Sequence, residues 1–224
     1  MTGCATMFRR YPVMYKRARR CCAAVALAMV SIMASSLGAQ APTTPAAGPA
    51  YTAADVQFMQ GMIGHHAQAL VMAGMAPSHG ANAQVLLFCK KITISQRDEI
   101  TMMQEWLKER GQVVPVVAAD GHDHEHGMAG MDMDAHASMP GMLTADQLEV
   151  LAHARGERFD RLFLTGLIQH HEGALTMVAT LFDSPGAGQT PEIFGYATGV
   201  DADQRAEIER MQGMLSTLPG RSSK

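Results

Sequence analysis

The chain contains the segment DVQFMQGMIGHHAQALVM at residues 55–72, and a second version, DRLFLTGLIQHHEGALTM, occupies residues 160–177. The two segments share an Asp, a Phe, a Gly, an Ile, a His-His pair, an Ala-Leu pair and a Met in the same order, 105 positions apart. A second match follows, in which Gln96-Arg97, Glu99-Ile100, Met103 and Leu107 recur 108 positions later as Gln204-Arg205, Glu207-Ile208, Met211 and Leu215. An internal repeat of this kind sets the organisation of a chain. We therefore predict two repeats, each made of two segments joined by a turn.

Residues typical of helix ends flank the four segments. They are Thr52, Pro77, Gly111, Thr144 with Gln147, and Thr190-Pro191-Glu192. Ser or Thr caps, first-turn Pro and terminal Gly or Pro each have a known place at a helix boundary. We expect helices near residues 53–76, 82–110, 145–182 and 191–216, with a break or bend allowed at Gly156. Four helices paired in this way most simply form an all-α, four-helix bundle built from two duplicated helix hairpins.

The first 41 residues have the pattern of a signal peptide. A basic region precedes an apolar run from Cys21 to Leu37, and Ala39-Gln40-Ala41 then supplies the small residues that a signal peptidase requires. We expect export to the periplasm or the outside of a bacterial cell, with a mature chain starting near Pro42. A retained membrane anchor is the alternative, although the run is short for a span of ~20 residues.

Loss of residues 1–41 changes both the charge and the cysteine content. The whole chain has 18 Lys and Arg against 21 Asp and Glu, and residues 1–41 hold six of the basic residues and no acid. The remaining 12 basic and 21 acidic residues give a net charge near −9, which argues against nucleic acid or anionic lipid as a partner. Cys89 is the one cysteine left, so an intramolecular disulfide is excluded.

Residues 111–143 have no helical period and are far longer than the usual connection of about 2–8 residues between helices. We interpret them as a disordered linker between a first hairpin, residues 52–110, and a second, residues 144–218, with short tails at 42–51 and 219–224. The linker is rich in His122, His124, His126, Met128, Met131, Met133, His136, Met139 and Met142. Thioethers and imidazoles together suit copper, Cu(I) above all. A flexible linker of biased composition, or methionines that scavenge oxidants, is the alternative.

Histidine and methionine also line one face of the first predicted helix of each repeat. Candidate metal ligands in the helices are Met59, Met62, His65, His66, Met72, Glu99 and Met103 in the first repeat, and His170, His171, Met177, Glu207 and Met211 in the second. Methionine at helical spacing is commonly core filler, and either Glu can be a buried acid that holds a histidine in place. Adjacent imidazoles on an apolar face are costly to bury without a partner, which favours metal binding.

The repeats differ in their sulfur content. Met59 and Met62 of the first repeat correspond to Leu164 and Leu167 of the second. We therefore expect soft-metal binding to be concentrated in the first repeat. A single tight Cu(I) site in the helices would use His65, His66 and Met62, with Met59 or Met72 as a further ligand.

At these residues the chain resembles the bacterial family called domain of unknown function 305. Its hallmark is a helix similar to M-I-P-H-H-x-x-A-x-x-M, followed by a helix with Q-x-x-E-I-x-x-M; the segments here are MIGHHAQALVM at 62–72 and QRDEITMM at 96–103. The resemblance implies a ferritin-like four-helix fold and, by similarity to the CopM-like members, a periplasmic copper-binding role linked to copper resistance. It carries the family's ligands over to His65, His66, Met62, Met72, His170, His171 and Met177. Gly64 and Gln169 stand where the family usually has Pro.

Other functions explain less of the sequence. A di-iron oxidase needs Glu-x-x-His motifs, which do not occur in the chain, and His171-Glu172 lacks the second histidine of a zinc protease. A zinc or nickel buffer and a metal-free interaction module are the remaining alternatives. We predict a protein without enzymatic activity that binds Cu(I) and Cu(II) and sequesters or transfers copper. Its partners would be metal ions and, optionally, another periplasmic copper protein, with no nucleic acid and no membrane after leader cleavage.

Overall fold

The computed structural model describes residues 50–117 and 139–219, and within these two ranges it is helical, without a strand. The helices are α1 (Ala53–Met75), α2 (Ala83–Glu109), α3 (Ala145–His153), α4 (Gly156–Asp183) and α5 (Pro191–Thr217), with a 3-10 turn (Ala76–His79) after α1. The predicted all-α class and the four predicted helical segments are confirmed. The expected break is confirmed too, because Ala154 and Arg155 are extended and α4 begins at Gly156 with a φ of 56°.

Four of the five helices begin at a side-chain cap, the exception being α4. Thr52 accepts a hydrogen bond from the Asp55 amide, while the Asp55 carboxylate accepts one from the Thr52 amide, and an equivalent capping box precedes α3. Thr190 caps α5. Asn82 caps α2, a role that the sequence interpretation did not assign to it. Each cap is worth about 1 kcal/mol because it pairs amides that have no partner within the helix.

The helices pack in two pairs, α1 with α2 and α4 with α5, and α1 also packs against α4. Their buried apolar side chains form two clusters. The Phe163 cluster joins the C-terminal half of α1 to the N-terminal halves of α2 and α4 and the last turns of α5; its members include Met72, Phe88, Phe159, Phe163, Leu164, Leu167 and Met211. The Trp106 cluster joins the opposite halves of these helices; its members include Phe58, Met59, Met62, Met103, Trp106 and Tyr196.

Two buried aspartates join the helix pairs to each other. Asp55 of α1 accepts a hydrogen bond from the amide of Gly188, in the turn between α4 and α5, at 2.7 Å. Asp160 of α4 accepts bonds from the backbone and side-chain nitrogens of Asn82, in the turn between α1 and α2, at distances from 2.7 to 3.3 Å. The first residue of each repeated segment thus holds the turn of the other helix pair.

None of the helices within residues 50–117 and 139–219 is both long and apolar enough to cross a membrane.

Candidate metal centre

The two His-His pairs lie in a buried layer between the apolar clusters. Along α4, the residues before His170 belong to the Phe163 cluster and those from Ala174 onward to the Trp106 cluster. Along α1 the order is reversed, because the two helices run in opposite directions through the core. His65, His66, His170 and His171 are each at most 1% exposed. The α1–α4 contact therefore brings all four imidazoles into the centre of the molecule.

One histidine of each pair is bound to a carboxylate. His66 Nε2 lies 2.6 Å from Glu99 Oε2, and His171 Nε2 lies 2.8 Å from Glu207 Oε2. Glu99 also accepts a hydrogen bond from Ser95 Oγ at 3.0 Å. Burial raises the pKa of Glu99, but the hydrogen bonds from His66 and Ser95 and the charge of His66 outweigh burial, so its pKa is lowered. Both carboxylates orient a histidine, as the sequence allowed.

The other histidine of each pair is bound to a backbone carbonyl. His65 Nε2 donates to Pro140 O at 3.0 Å, and His170 Nε2 donates to His65 O at 2.8 Å. The His65 and His170 rings have centroids 3.8 Å apart. Burial lowers the pKa of His65 to about 3, with further lowering by His66 and His171, and burial likewise moves the pKa of His170 well below its usual value. Both rings are therefore neutral near pH 7.

The second ring nitrogen of each histidine, Nδ1, indicates what the layer can bind. Within the described residues, the buried Nδ1 atoms of all four histidines have no hydrogen-bond partner. A carbonyl oxygen can only accept, so Nε2 of His65 and of His170 carries the proton and Nδ1 keeps a free lone pair. Metal-binding histidines show this division, with one nitrogen held by a carboxylate or carbonyl and the other left for the metal. The four Nδ1 atoms are thus donors of the kind that bind a metal in histidine sites.

Three of the predicted methionine ligands lie on one side of the layer. Met59, Met62 and Met103 are fully buried in the Trp106 cluster. Met62 precedes His66 by one helical turn and Met103 follows Glu99 by one turn, so these thioethers accompany the His66–Glu99 pair. Tyr196 OH donates a hydrogen bond to Met103 Sδ at 3.1 Å. The sequence interpretation missed this contact, which joins α5 to α2.

The other predicted methionine ligands lie elsewhere. Met72 belongs to the Phe163 cluster and contacts α4 near Gly166, so it is separated from Met59 and Met62 by the histidine layer. Met177 is partly exposed and lies near Gly61 of α1. Met211 is fully buried in the Phe163 cluster.

A short strap, residues 139–143, covers the layer at Pro140. The Gln68 amide is bonded to both N and O of Leu143, at 2.8 and 3.0 Å. Gly141, with a φ of 76°, packs against Gly173 of α4 so closely that a Cβ at Gly141 would lie 2.6 Å from Gly173 Cα. The two glycines are visible in the sequence as residues that allow a close approach. The sequence does not indicate that they contact each other.

The linker ligands predicted from sequence fall outside the described residues. They are His122, His124, His126, Met128, Met131, Met133 and His136. Within the described residues, no group of three or more His, Cys, Asp or Glu side chains is arranged to hold a metal ion.

The chain belongs to the family described as "Domain of unknown function (DUF305)", whose model matches residues 55–215. Its structure is similar to that of a DUF305 fragment from Deinococcus radiodurans, with 30% sequence identity, a TM-score of 0.61, and coverage of 75% of this chain and 99% of that chain. It is also similar to CopM in the Cu(I)-bound form, at 26% identity and a TM-score of 0.53, with coverage of 74% of this chain and 98% of that chain. For CopM in the Cu(II)-bound form the identity is 28% and the TM-score 0.51, with coverage of 72% and 95%. No curated protein sequence matches the chain.

Proposed function

We propose that this is an exported copper-binding protein without enzymatic activity, which binds Cu(I) through methionine and histidine and Cu(II) through histidine. The observation that supports the proposal best is the set of four buried Nδ1 atoms that have no hydrogen-bond partner within the described residues. Burying an imidazole nitrogen without a partner is costly, and a bound metal ion would offset that cost.

The donor types favour copper over other metals. Neutral imidazole suits several transition metals, but thioether sulfur is a soft ligand that suits Cu(I). Met59, Met62 and Met103 lie on the side of the layer where His66 meets Glu99. The similarity to CopM, which has structures in Cu(I)-bound and Cu(II)-bound forms, supports the same choice.

The proposed role is sequestration or transfer of copper in metal tolerance or homeostasis. Export would depend on the leader pattern in residues 1–41, and partners would be metal ions and, optionally, a second copper protein. We also propose that the two helix pairs are duplicated hairpins in a ferritin-like four-helix bundle. The sequence repeat and the reciprocal bonds of Asp55 and Asp160 support this architecture.

The test is a competitive Cu(I) titration of the protein purified after export. The informative variant is His66→Gln with His171→Gln, because a Gln amide can still donate to Glu99 or Glu207 but supplies no ring nitrogen. The matched control is His79→Gln. His79 is also buried, but both of its ring nitrogens are bonded, to Ser78 Oγ at 2.9 Å and to Ala152 O at 2.8 Å.

We expect the double variant to bind Cu(I) more weakly and the control to bind it as the parent does. Equal binding by all three proteins would contradict a role for the histidine layer. A further variant that lacks residues 120–138 but keeps the strap measures the contribution of the linker. Stoichiometric zinc or iron that copper cannot displace would overturn the copper assignment.

A further inference from the structure

Two methionines from distant parts of the chain share a space outside the histidine layer, where α4 crosses α1 at Gly61. A Cβ at Gly61 would lie 3.3 Å from Met177 Cε and 3.5 Å from Met139 Sδ. The absence of a side chain at Gly61 therefore leaves room for both methionine side chains. Gly61, Met139 and Met177 are all partly exposed, so this space borders solvent.

The matching position on α4 is built differently. A Cβ at Gly166 would lie 3.3 Å from Met72 Cε and 2.9 Å from Leu143 Cδ2. Met72 corresponds to Met177 in the sequence repeat. The second side chain at this position, however, is Leu143 and not a methionine. Met72 is 0% exposed and Leu143 is 6% exposed. This second position has one thioether and is closed to solvent, so simple packing explains it.

The exposed pair lies next to the contact that orients His65. Met139 directly precedes Pro140, whose carbonyl accepts the hydrogen bond from His65 Nε2 at 3.0 Å. The close approach of Gly141 to Gly173 fixes this part of the strap against α4. A ligand held at Met139 is thus one residue away from the group that holds the first buried imidazole.

We propose that Met139 and Met177 form a half-buried thioether site that takes up Cu(I) from solvent and passes it to the buried histidines, His65 first. The inference rests on the copper-binding function proposed above. Thioethers suit this role because they bind Cu(I) without losing a proton and because methionine side chains can change rotamer at low cost. The step is an exchange of ligands on Cu(I) and involves no change in oxidation state.

The experiment uses the exported protein labelled with ¹³C in the methionine methyl groups and titrated anaerobically with substoichiometric Cu(I). We expect the Met139 and Met177 methyl resonances, assigned with the M139L and M177L variants, to shift at the lowest metal ratios. Stopped-flow uptake from a Cu(I)–bicinchoninate complex then compares the parent with the M139L/M177L double variant. Uptake should slow at least about tenfold, the scale on which metal sites respond to loss of a supporting group.

The matched control is Met214→Leu, which changes a buried methionine of the Phe163 cluster that is not among the candidate ligands. Its uptake rate should equal that of the parent. Leucine replaces methionine with a small change in volume, so the variants should fold, and circular dichroism checks this directly. If the parent binds Cu(I) but the double variant takes it up at the parent rate and the two methyl groups do not shift, the uptake site is refuted while copper binding stands. Failure of the parent to bind Cu(I) would overturn both proposals.

Discussion

In the α1–α2 pair, His66 bonds to Glu99, and Met59 and Met62 precede it along α1; in the α4–α5 pair, His171 bonds to Glu207, and Leu164 and Leu167 take the matching positions. The histidine–carboxylate contact is thus the same in both pairs. The side chains beside it differ in softness but little in volume. With the same helix arrangement in both halves, the choice of Met or Leu at the positions before the histidines can place soft ligands in one half of the molecule.

The two halves also differ at the carboxylates. Ser95 donates a hydrogen bond to Glu99, whereas Asp203 stands at the matching position of α5. Burial and the neighbouring carboxylates Glu99 and Glu207 raise the pKa of Asp203. The first carboxylate thus accepts a hydrogen bond from a hydroxyl on its own helix, and Asp203 adds an acid near both carboxylates.

The largest expected effect comes from removing the soft donors of the first pair. The variant M59L/M62L should weaken Cu(I) binding by roughly 100-fold, which corresponds to about 2.7 kcal/mol, because both thioethers beside His66 are lost. The measurement is a competitive Cu(I) titration. Met214→Leu serves as the control and should bind as the parent does, since Met214 is a buried methionine of the Phe163 cluster and is not among the candidate ligands.

The converse change would equalise the two pairs. L164M/L167M places thioethers beside His171, so we expect the same titration to reveal a second tight Cu(I) equivalent. If M59L/M62L binds as tightly as the parent, or L164M/L167M adds no binding, softness at these positions does not distinguish the halves.

A smaller effect is expected from the aspartates that join the two pairs. Asp55→Asn and Asp160→Asn each weaken buried bonds to a turn of the other pair, so each should lower the free energy of unfolding by about 1–3 kcal/mol. Urea unfolding of the metal-free protein measures this loss. Asp201→Asn, in an exposed ion pair with Arg205, should change stability by less than about 1 kcal/mol. A loss of stability in only one of these two variants would show that the two helix pairs do not each hold the turn of the other.

Cys89 should make the stability of the first pair depend on alkaline pH. Burial, together with the nearby Asp160, raises the pKa of the Cys89 thiol to about 12. Because the unfolded thiol loses its proton near pH 9 while the folded one keeps it, stability is full below pH 9 and falls as pH rises toward 12. At pH 10, about one unit above the pKa of the unfolded thiol, the loss is about 1.4 kcal/mol.

The matched substitution is Cys89→Ala, since Ala197 stands at the corresponding position of α5. Thermal unfolding between pH 8 and 10.5 should show a shallower decline for this variant than for the parent. Parallel declines would mean that burial does not hold the thiol in its protonated form.

The smallest expected effect concerns Tyr196, whose counterpart in α2 is Phe88. Its hydroxyl donates to Met103 Sδ and so occupies a sulfur lone pair that a metal could use. Tyr196→Phe should therefore strengthen Cu(I) binding about threefold, given that such a hydrogen bond is worth about 0.5–1 kcal/mol. Weaker binding in the Cu(I) titration would show instead that the hydroxyl helps to position the thioether.

The site could be predicted from sequence only in part. The four histidines and the two glutamates could be singled out because adjacent imidazoles repeat in register and a carboxylate follows each pair, 33 positions after His66 and 36 after His171. Ser95, Tyr196, Asp203 and the strap were missed, because none of these residues belongs to the repeat pattern that revealed the histidines. The predictions for the linker residues from His122 to His136 lie outside the described residues.

The sequence by itself determined the all-helical class and the ends of the helices, because helical period and capping depend on residues three or four positions apart. The His-His segments also indicated the family. Tertiary structure alone decided which ring nitrogens are left free, that Met72 and Met62 belong to different clusters, and that Met139 meets Met177. These outcomes depend on contacts such as that of His65 with Pro140, 75 residues away. Such contacts are set by how α1 crosses α4, and no local pattern in the chain encodes that crossing.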